Sequence, residues 1–142
     1  MKSRSGKKRL LAIAALISGL APLYSFRIDQ KFDLDASIGR GKDVYTTYCM
    51  SCHMENGEGM EGVFPPVAKS DYLMADKKRS IHQTIYGVSG EIVVNGKTYN
   101  GDMPGYDLSD EEISDVLNYI RNSWGNKGEA VLPAEVAATR KK

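Results

Sequence analysis

Apolar residues recur at helical spacing in three stretches of the chain, and each stretch predicts a helix. The first two cover about residues 38–48 and 76–86. The third covers 109–124 and is the best marked, because Ser109 and Glu112 have the spacing of a capping box, which starts a helix. The apolar stripe of this last helix consists of Ile113, Val116, Leu117 and Ile120.

A strand pattern lies between the second and third predicted helices. β-branched residues flank Asn95 and Gly96, a pair that accepts the positive φ values of a tight turn. The sequence therefore predicts a short β-hairpin over 91–100. A loop over 101–105 follows the hairpin and contains Met103.

The first 27 residues differ in charge from the rest of the 142-residue chain. They contain six basic and no acidic residues, whereas the remainder has 13 basic and 18 acidic residues and hence a net charge of −5. A basic start followed by an apolar run over 10–26 is the order of a secretory signal, although the run is short for the roughly 20 residues of a membrane span. We predict that residues 1–27 are a signal peptide or a retained N-terminal membrane anchor, and that 28–37 are a linker.

The same features predict where the protein works. An exported chain of this kind is expected in the periplasm, or anchored to the inner membrane and facing the periplasm. The acidic remainder argues against nucleic-acid binding, because phosphates are met by a cationic surface.

Three of the four cysteine and histidine residues lie in one pentapeptide, where Cys49 and Cys52 are followed directly by His53. Residues three apart share a face of a helical turn, so two thiols at this spacing reach one edge of a porphyrin. The adjacent imidazole is then placed to coordinate the iron. The pentapeptide therefore predicts one covalently attached haem c, with His53 as an iron ligand.

Other chemistries use the same spacing and stay open as alternatives. A disulfide between Cys49 and Cys52 would suit an exported protein, and a redox dithiol has the same C-x-x-C pattern. A dithiol oxidoreductase normally comes with a βαβ pattern, which this sequence lacks. Structural zinc needs four ligands, and His82 is the only further histidine or cysteine in the chain.

Over residues 38 to 125 the sequence resembles a class I cytochrome c, with several features in the order of that family. Gly41 and Tyr45 resemble the glycine and aromatic residue of the family's first helix. Val116 and Tyr119 resemble their partners on the last helix, which crosses the first one closely. The pentapeptide described above matches the haem-binding motif of the family.

Two further segments carry the resemblance. Pro65 resembles the proline whose carbonyl accepts the proton on the second nitrogen of the haem-binding histidine. Met103 with Pro104 resembles the loop that supplies the second axial ligand. The region is similar to small bacterial c-domains that serve oxidases, nitrite reductases and dehydrogenases.

The resemblance implies a fold and a domain plan. The fold would be all-α, a class I cytochrome c fold of helices around one covalently bound haem, with a short β-hairpin before the methionine loop. The cytochrome domain would cover 38–128, and the Ala- and Pro-rich segment 129–142 is predicted to be a mobile tail.

The position of Met103 also favours it as the second axial ligand. Met50 and Met54 are too close to His53 in sequence to reach the other face of a haem. Met60 would have to reach the iron from the glycine-rich loop, and Met74 has the pattern of a packing residue. His82 is the rival ligand, and a bis-histidine site would have a lower reduction potential.

Ligation by His53 and Met103 implies an electron carrier rather than an enzyme, because neither axial position is left for a substrate. Expected partners are redox proteins, with a dehydrogenase or quinol-oxidising complex as donor and an oxidase or reductase as acceptor. The alternative is a five-coordinate haem with peroxidase-like or gas-sensing activity, which would require that Met103 does not bind iron. A third hypothesis makes the chain a fixed subunit of a respiratory complex, anchored through its N-terminal segment.

Overall fold

The computed structural model describes residues 31–140, so the predicted signal peptide or anchor at 1–27 lies outside the described residues. In the described part, no helix is long and apolar enough to cross a membrane. The elements, in chain order, are α1 (Leu34–Tyr48), α2 (Met50–His53), α3 (Asp71–Ala75), α4 (Lys77–Tyr86), β1 (Gly87–Val94), β2 (Lys97–Pro104), α5 (Asp110–Arg121) and α6 (Pro133–Arg140).

Helix α5 is the centre of the fold, and its predicted capping box is confirmed. The Ser109 hydroxyl accepts from the Glu112 backbone N–H at 3.2 Å, and the Glu112 carboxylate accepts from the Ser109 N–H at 2.8 Å. All four residues of the predicted apolar stripe are buried. Because this stripe faces the other helices, α5 contacts α1, α4 and α6.

Helices α1 and α5 cross at Gly41. A Cβ atom on Gly41 would lie 1.9 Å from the Asp115 carbonyl oxygen and 2.9 Å from the Tyr119 Cβ, so only glycine permits this approach. Tyr45, one turn further on, is buried against the rings of Tyr119 and Trp124, with centroid separations of 5.4 and 5.1 Å. The close crossing that the resemblance implies for these residues is present.

Helix α1 begins at Leu34, within the segment predicted as a linker. The Asp33 side chain caps it by accepting from the Ala36 N–H at 3.0 Å, and this local signal was missed because the apolar pattern starts later. The added turn carries Ser37, whose hydroxyl donates to the buried Asp115 carboxylate at 2.6 Å. Arg40 donates to both oxygens of the same carboxylate, at 2.6 and 2.7 Å.

The predicted hairpin is present but longer than expected, and it corrects the all-α description of the fold. Strands β1 and β2 pair antiparallel, with Val94 opposite Lys97 at the tip and Gly87 opposite Pro104 at the base. Met103 therefore lies in β2, opposite Val88, and not in a loop after the hairpin. The extension was hidden because its glycine, serine and aspartate residues have low strand propensity.

Contacts at both ends hold the hairpin to the rest of the chain. At the tip, the Asp71 N–H donates to the Asn95 side chain at 3.0 Å, and the Asn95 N–H donates to the Asp71 carboxylate at 2.7 Å. At the base, a Cβ on Gly105 would lie 2.4 Å from the Ile85 carbonyl oxygen, so the end of the hairpin packs directly on α4.

The segment 129–140, predicted as part of a mobile tail, is instead packed on the domain. Val131 and Val136 are fully buried, and the second of these lies on α6. The Asn118 side chain accepts from the Val131 N–H at 2.7 Å and donates to the Val131 carbonyl at 2.9 Å. Two apolar residues make too short a pattern to be read from sequence, and the amide that bonds Val131 comes from α5.

Candidate functional site

The hairpin, α2, α4 and α5 enclose a cavity of about 1300 Å³, a volume that includes the part open to solvent. The side chains on its wall are mainly apolar, and six of them are Leu73, Ile92, Val94, Val116, Leu117 and Ile120. Ile92 and Val94 are two residues apart on β1, so the period of a strand places both on one face. Such a wall suits a large apolar ligand.

The haem-binding pentapeptide lies on the cavity wall as a single helical turn. The N–H groups of Cys52 and His53 both donate to the Cys49 carbonyl, at 3.2 and 2.9 Å, and all three side chains line the cavity. The two thiols are not joined in a disulfide. Burial, with a smaller contribution from Cys52, raises the pKa of the Cys49 thiol to about 11. A redox dithiol uses the opposite shift, because its attacking sulfur is a thiolate.

His53 has the hydrogen bond that the resemblance implies for Pro65. Its Nδ1 lies 2.9 Å from the Pro65 carbonyl oxygen, and since a carbonyl only accepts, Nδ1 carries the proton. The Nε2 atom is then left with a free lone pair, the form that coordinates a metal. Burial lowers the pKa of His53, and the bond to Pro65 opposes this in part.

Gly59 permits the approach of the loop that holds this carbonyl. It has a φ of +65°, and a Cβ there would lie 2.4 Å from the Phe64 oxygen and 2.7 Å from the Pro65 oxygen. The Gly59 N–H also donates to the His53 carbonyl at 3.0 Å, which ties the loop to the end of α2. The glycine-rich loop therefore helps to hold the Pro65 carbonyl against the histidine.

Met103 and His82, the two candidate axial ligands, occupy different environments. Met103 lines the cavity from β2, and among the methionines of residues 31–140 it is the only one to do so. His82 does not line the cavity. It is exposed on α4, and its ring packs at a tilt against Tyr86, with the centroids 4.8 Å apart.

Two groups near the site were not found from the sequence. Tyr72 and Gln83 are polar residues on the cavity wall, and the Gln83 amide donates to the Tyr72 hydroxyl at 2.7 Å. Asn126 donates to the carbonyls of Val67 and Ile120, at 2.9 and 2.7 Å, and so joins the segment after the two prolines to the end of α5. No spacing rule marks these residues, because their partners are far away in sequence.

The residues present fit a haem. The cavity is apolar, two thiols and an imidazole project from one turn on its wall, and a thioether projects from a different element. The imidazole is in the tautomer that coordinates iron, as argued above. Thiols, imidazole and thioether are the donor set that c-type haem attachment and ligation use.

Comparison with known proteins agrees with this site. The sequence model of the cytochrome c family matches residues 38–124. Cytochrome c-552 of Thermus thermophilus is 41% identical over 91 residues, which cover 61% of this chain and 69% of that protein.

Subunits of larger enzymes are also similar to this chain. The cytochrome c subunit of a quinone-type alcohol dehydrogenase from Gluconobacter oxydans is 34% identical over 98 residues, covering 66% of this chain and 20% of that subunit. Subunit CcoP of a cbb3-type cytochrome c oxidase from Azospirillum brasilense is 30% identical over 111 residues, covering 73% of this chain and 34% of the subunit. The chain thus spans only a fifth to a third of these two relatives.

The family match covers more than half of the chain and includes the haem-binding pentapeptide. Both the features expected from sequence and the cavity described above lie in the matched part. The chain therefore belongs to the cytochrome c family, and residues 38–124 form a class I cytochrome c domain that binds one haem c covalently.

Proposed function

We propose that this cytochrome carries single electrons through a haem ligated by His53 and Met103. The observation that carries the proposal is that Met103 alone, among the methionines of residues 31–140, lines the cavity that also contains His53. The exposed position of His82 outside the cavity supports the same ligand pair. Haem, when bound, supplies a one-electron iron couple.

The side chains of this domain would set the potential of that couple. The Pro65 carbonyl holds the His53 ring in one orientation and increases its basicity as a ligand. The Met103 thioether is a soft ligand that favours ferrous iron, so it raises the reduction potential relative to a second histidine. The apolar wall acts in the same direction, because it disfavours the additional positive charge of the ferric state.

Filled axial positions leave outer-sphere electron transfer as the function, with no site for a substrate on the iron. The partners would be redox proteins, with a dehydrogenase or quinol-oxidising complex as donor and an oxidase or reductase as acceptor. The relatives named as dehydrogenase and oxidase subunits support partners of these classes. Docking should be small and transient, since a carrier has to release each partner quickly.

We also propose that residues 1–27 direct export, as a cleaved signal peptide or as an anchor in the inner membrane. The basic start and apolar run of this segment support export. The protein would then work in the periplasm or at the membrane surface that faces it. Retention of 1–27 in the mature protein would favour a fixed subunit of a respiratory complex.

The test of the ligand pair is the optical spectrum of the holoprotein and of Met103→Ala. Sulfur ligation of ferric iron gives a weak charge-transfer band in the red, which we expect in the wild type and not in the variant. Met60→Ala is the matched control, because Met60 is exposed and does not line the cavity. A wild-type protein without the band, or one whose ferrous form binds carbon monoxide readily, would refute the proposal and favour the five-coordinate alternative.

A further inference from the structure

Arg140, the last residue of α6, is bonded to both chain segments from which the hairpin extends. Its guanidinium donates to the Asp110 carboxylate at 2.7 Å and to the Leu108 carbonyl, which lies in the segment between β2 and α5. Its own carbonyl accepts from the Tyr86 hydroxyl at 3.2 Å, and Tyr86 is the residue directly before β1. One residue of α6 therefore makes hydrogen bonds near both ends of the hairpin.

The two ends of the hairpin are in close backbone contact with each other. A Cβ on Gly87, the first residue of β1, would lie 2.4 Å from the Met103 carbonyl oxygen and 2.8 Å from the Gly105 nitrogen. A Cβ on Gly105 would in turn lie 2.9 Å from the Tyr86 Cα. Because packed backbone leaves no free space here, a shift of the segments that Arg140 holds would also move the end of β2 that carries Met103.

Helix α6 is itself anchored at points away from the hairpin. Val136 on this helix is fully buried. Near the other end of the helix, the Lys77 ammonium of α4 forms an ion pair with Glu135 at 2.7 Å. The match to the cytochrome c family model ends at residue 124, so α6 lies beyond the matched part of the chain. The helix thus holds Arg140 at a fixed place against α4 and α5.

We propose that α6 is a strap that keeps Met103 on the iron, with Arg140 as the positioning residue. A two-stranded hairpin is marginally stable by itself, so its closed position depends on what holds its ends. Arg140 favours the closed state, because its bonds to Leu108 and Asp110 are lost when the segment after β2 shifts. The inference rests on the proposed ligation by Met103 and assigns its control to a residue outside the haem cavity.

The experiment is a titration of the ferric holoprotein with imidazole at pH 7, followed through the visible spectrum. Imidazole takes the iron position that Met103 leaves, so its apparent affinity is proportional to the fraction of molecules with Met103 detached. Arg140→Gln should bind imidazole about fivefold more tightly than the wild type, because it loses a partly exposed ion pair and a hydrogen bond to a carbonyl. Arg140→Lys keeps the charge without the fork that bonds both partners, so its affinity should lie between the two.

Lys77→Gln is the matched control, because it breaks the ion pair near the other end of α6. The two ion pairs are similarly exposed, with side-chain exposures of 26% and 36% in the control pair and 31% and 35% in the pair of Arg140. Both variants should lower the free energy of unfolding, but Lys77→Gln should keep the imidazole affinity within about twofold of the wild type. Lys127→Gln removes the same charge from an exposed site and should change neither quantity.

Hydrogen exchange of the holoprotein gives a second readout, which separates local opening of the hairpin from unfolding of the whole domain. Amides of α1 report unfolding of the domain, and amides of β1 and β2 report local opening as well. The ratio of hairpin exchange to α1 exchange should rise about fivefold in Arg140→Gln, in parallel with the imidazole affinity. It should stay at the wild-type value in Lys77→Gln.

An imidazole affinity of Arg140→Gln equal to that of the wild type would overturn the inference, as would an equal gain in either control. If Arg140→Gln does not fold or does not take up haem, Arg140→Lys decides, and a wild-type affinity in that variant then overturns the inference. Failure of the ligand proposal looks different, because the wild type itself then lacks the red band before any imidazole is added.

Discussion

The Arg40–Asp115 pair is the interaction between α1 and α5 whose loss should be easiest to measure. The Asp115 side chain is 4% exposed and accepts from Ser37 and, twice, from Arg40, whose own side chain is 51% exposed. In Arg40→Met the carboxylate stays buried and keeps only the Ser37 hydroxyl. A buried polar group that loses its hydrogen-bond partner costs roughly 1–3 kcal/mol, and because the Ser37 hydroxyl remains bonded we expect a loss of about 2 kcal/mol.

The measurement is chemical denaturation of the holoprotein at pH 7, followed by far-ultraviolet circular dichroism. The variant should have a lower free energy of unfolding, seen as a lower denaturant concentration at the midpoint. The dependence of the free energy on denaturant should stay the same, since the surface exposed on unfolding is unchanged. Lys42→Met is the control, because Lys42 is exposed on the same helix and forms no ion pair within residues 31–140. It should change the free energy by less than about 0.5 kcal/mol. A loss in Arg40→Met no larger than that of the control would refute the reasoning.

Two further changes test the helices of the same crossing. In Gly41→Ala the added Cβ would overlap the Asp115 carbonyl, so α1 and α5 must separate. We expect the free energy of unfolding, measured by the same denaturation assay, to fall by at least about 3 kcal/mol. A fall of less than about 1 kcal/mol would contradict the crossing geometry. At the start of α5, hydrogen bonds from the Ser109 hydroxyl and N–H lower the pKa of Glu112. That contribution to stability is present above the unfolded pKa of about 4.3 and is lost as the pH falls through the lower folded value. Denaturation midpoints of wild type and Glu112→Gln should therefore converge in acid, and a constant difference from pH 3 to 7 would contradict this.

The sequence predicted those features of the fold that depend on interactions between neighbouring residues. The capping box of α5 and the Asn95–Gly96 turn are each defined within a few residues, and both are found as expected. The pentapeptide at 49–53 is also a local signal, because the spacing of its two cysteines and its histidine is enough to predict haem attachment.

What the sequence did not predict depends on partners far along the chain. The lower half of the hairpin pairs residues of low strand propensity, and the pairing places Met103 in a strand. The segment just before α6 is fixed by Asn118, which bonds Val131, 13 residues further along the chain. Helices α3 and α4 are joined where the Gln83 amide donates to the Tyr72 hydroxyl. A pattern of apolar and polar positions does not indicate which side chains, distant in sequence, will be in contact in the folded protein.

The way in which the hairpin is held implies an order of assembly. An isolated two-stranded sheet is marginally stable, so this one depends on the bonds between Asp71 and Asn95 at its tip and on the packing of Gly105 at its base. Contacts between distant segments form late in folding, because the loops between them have to close first. The turn that carries Cys49 and Cys52 needs only neighbouring residues. We therefore expect that the thioether bonds can form on an open chain, before the hairpin closes its side of the haem pocket.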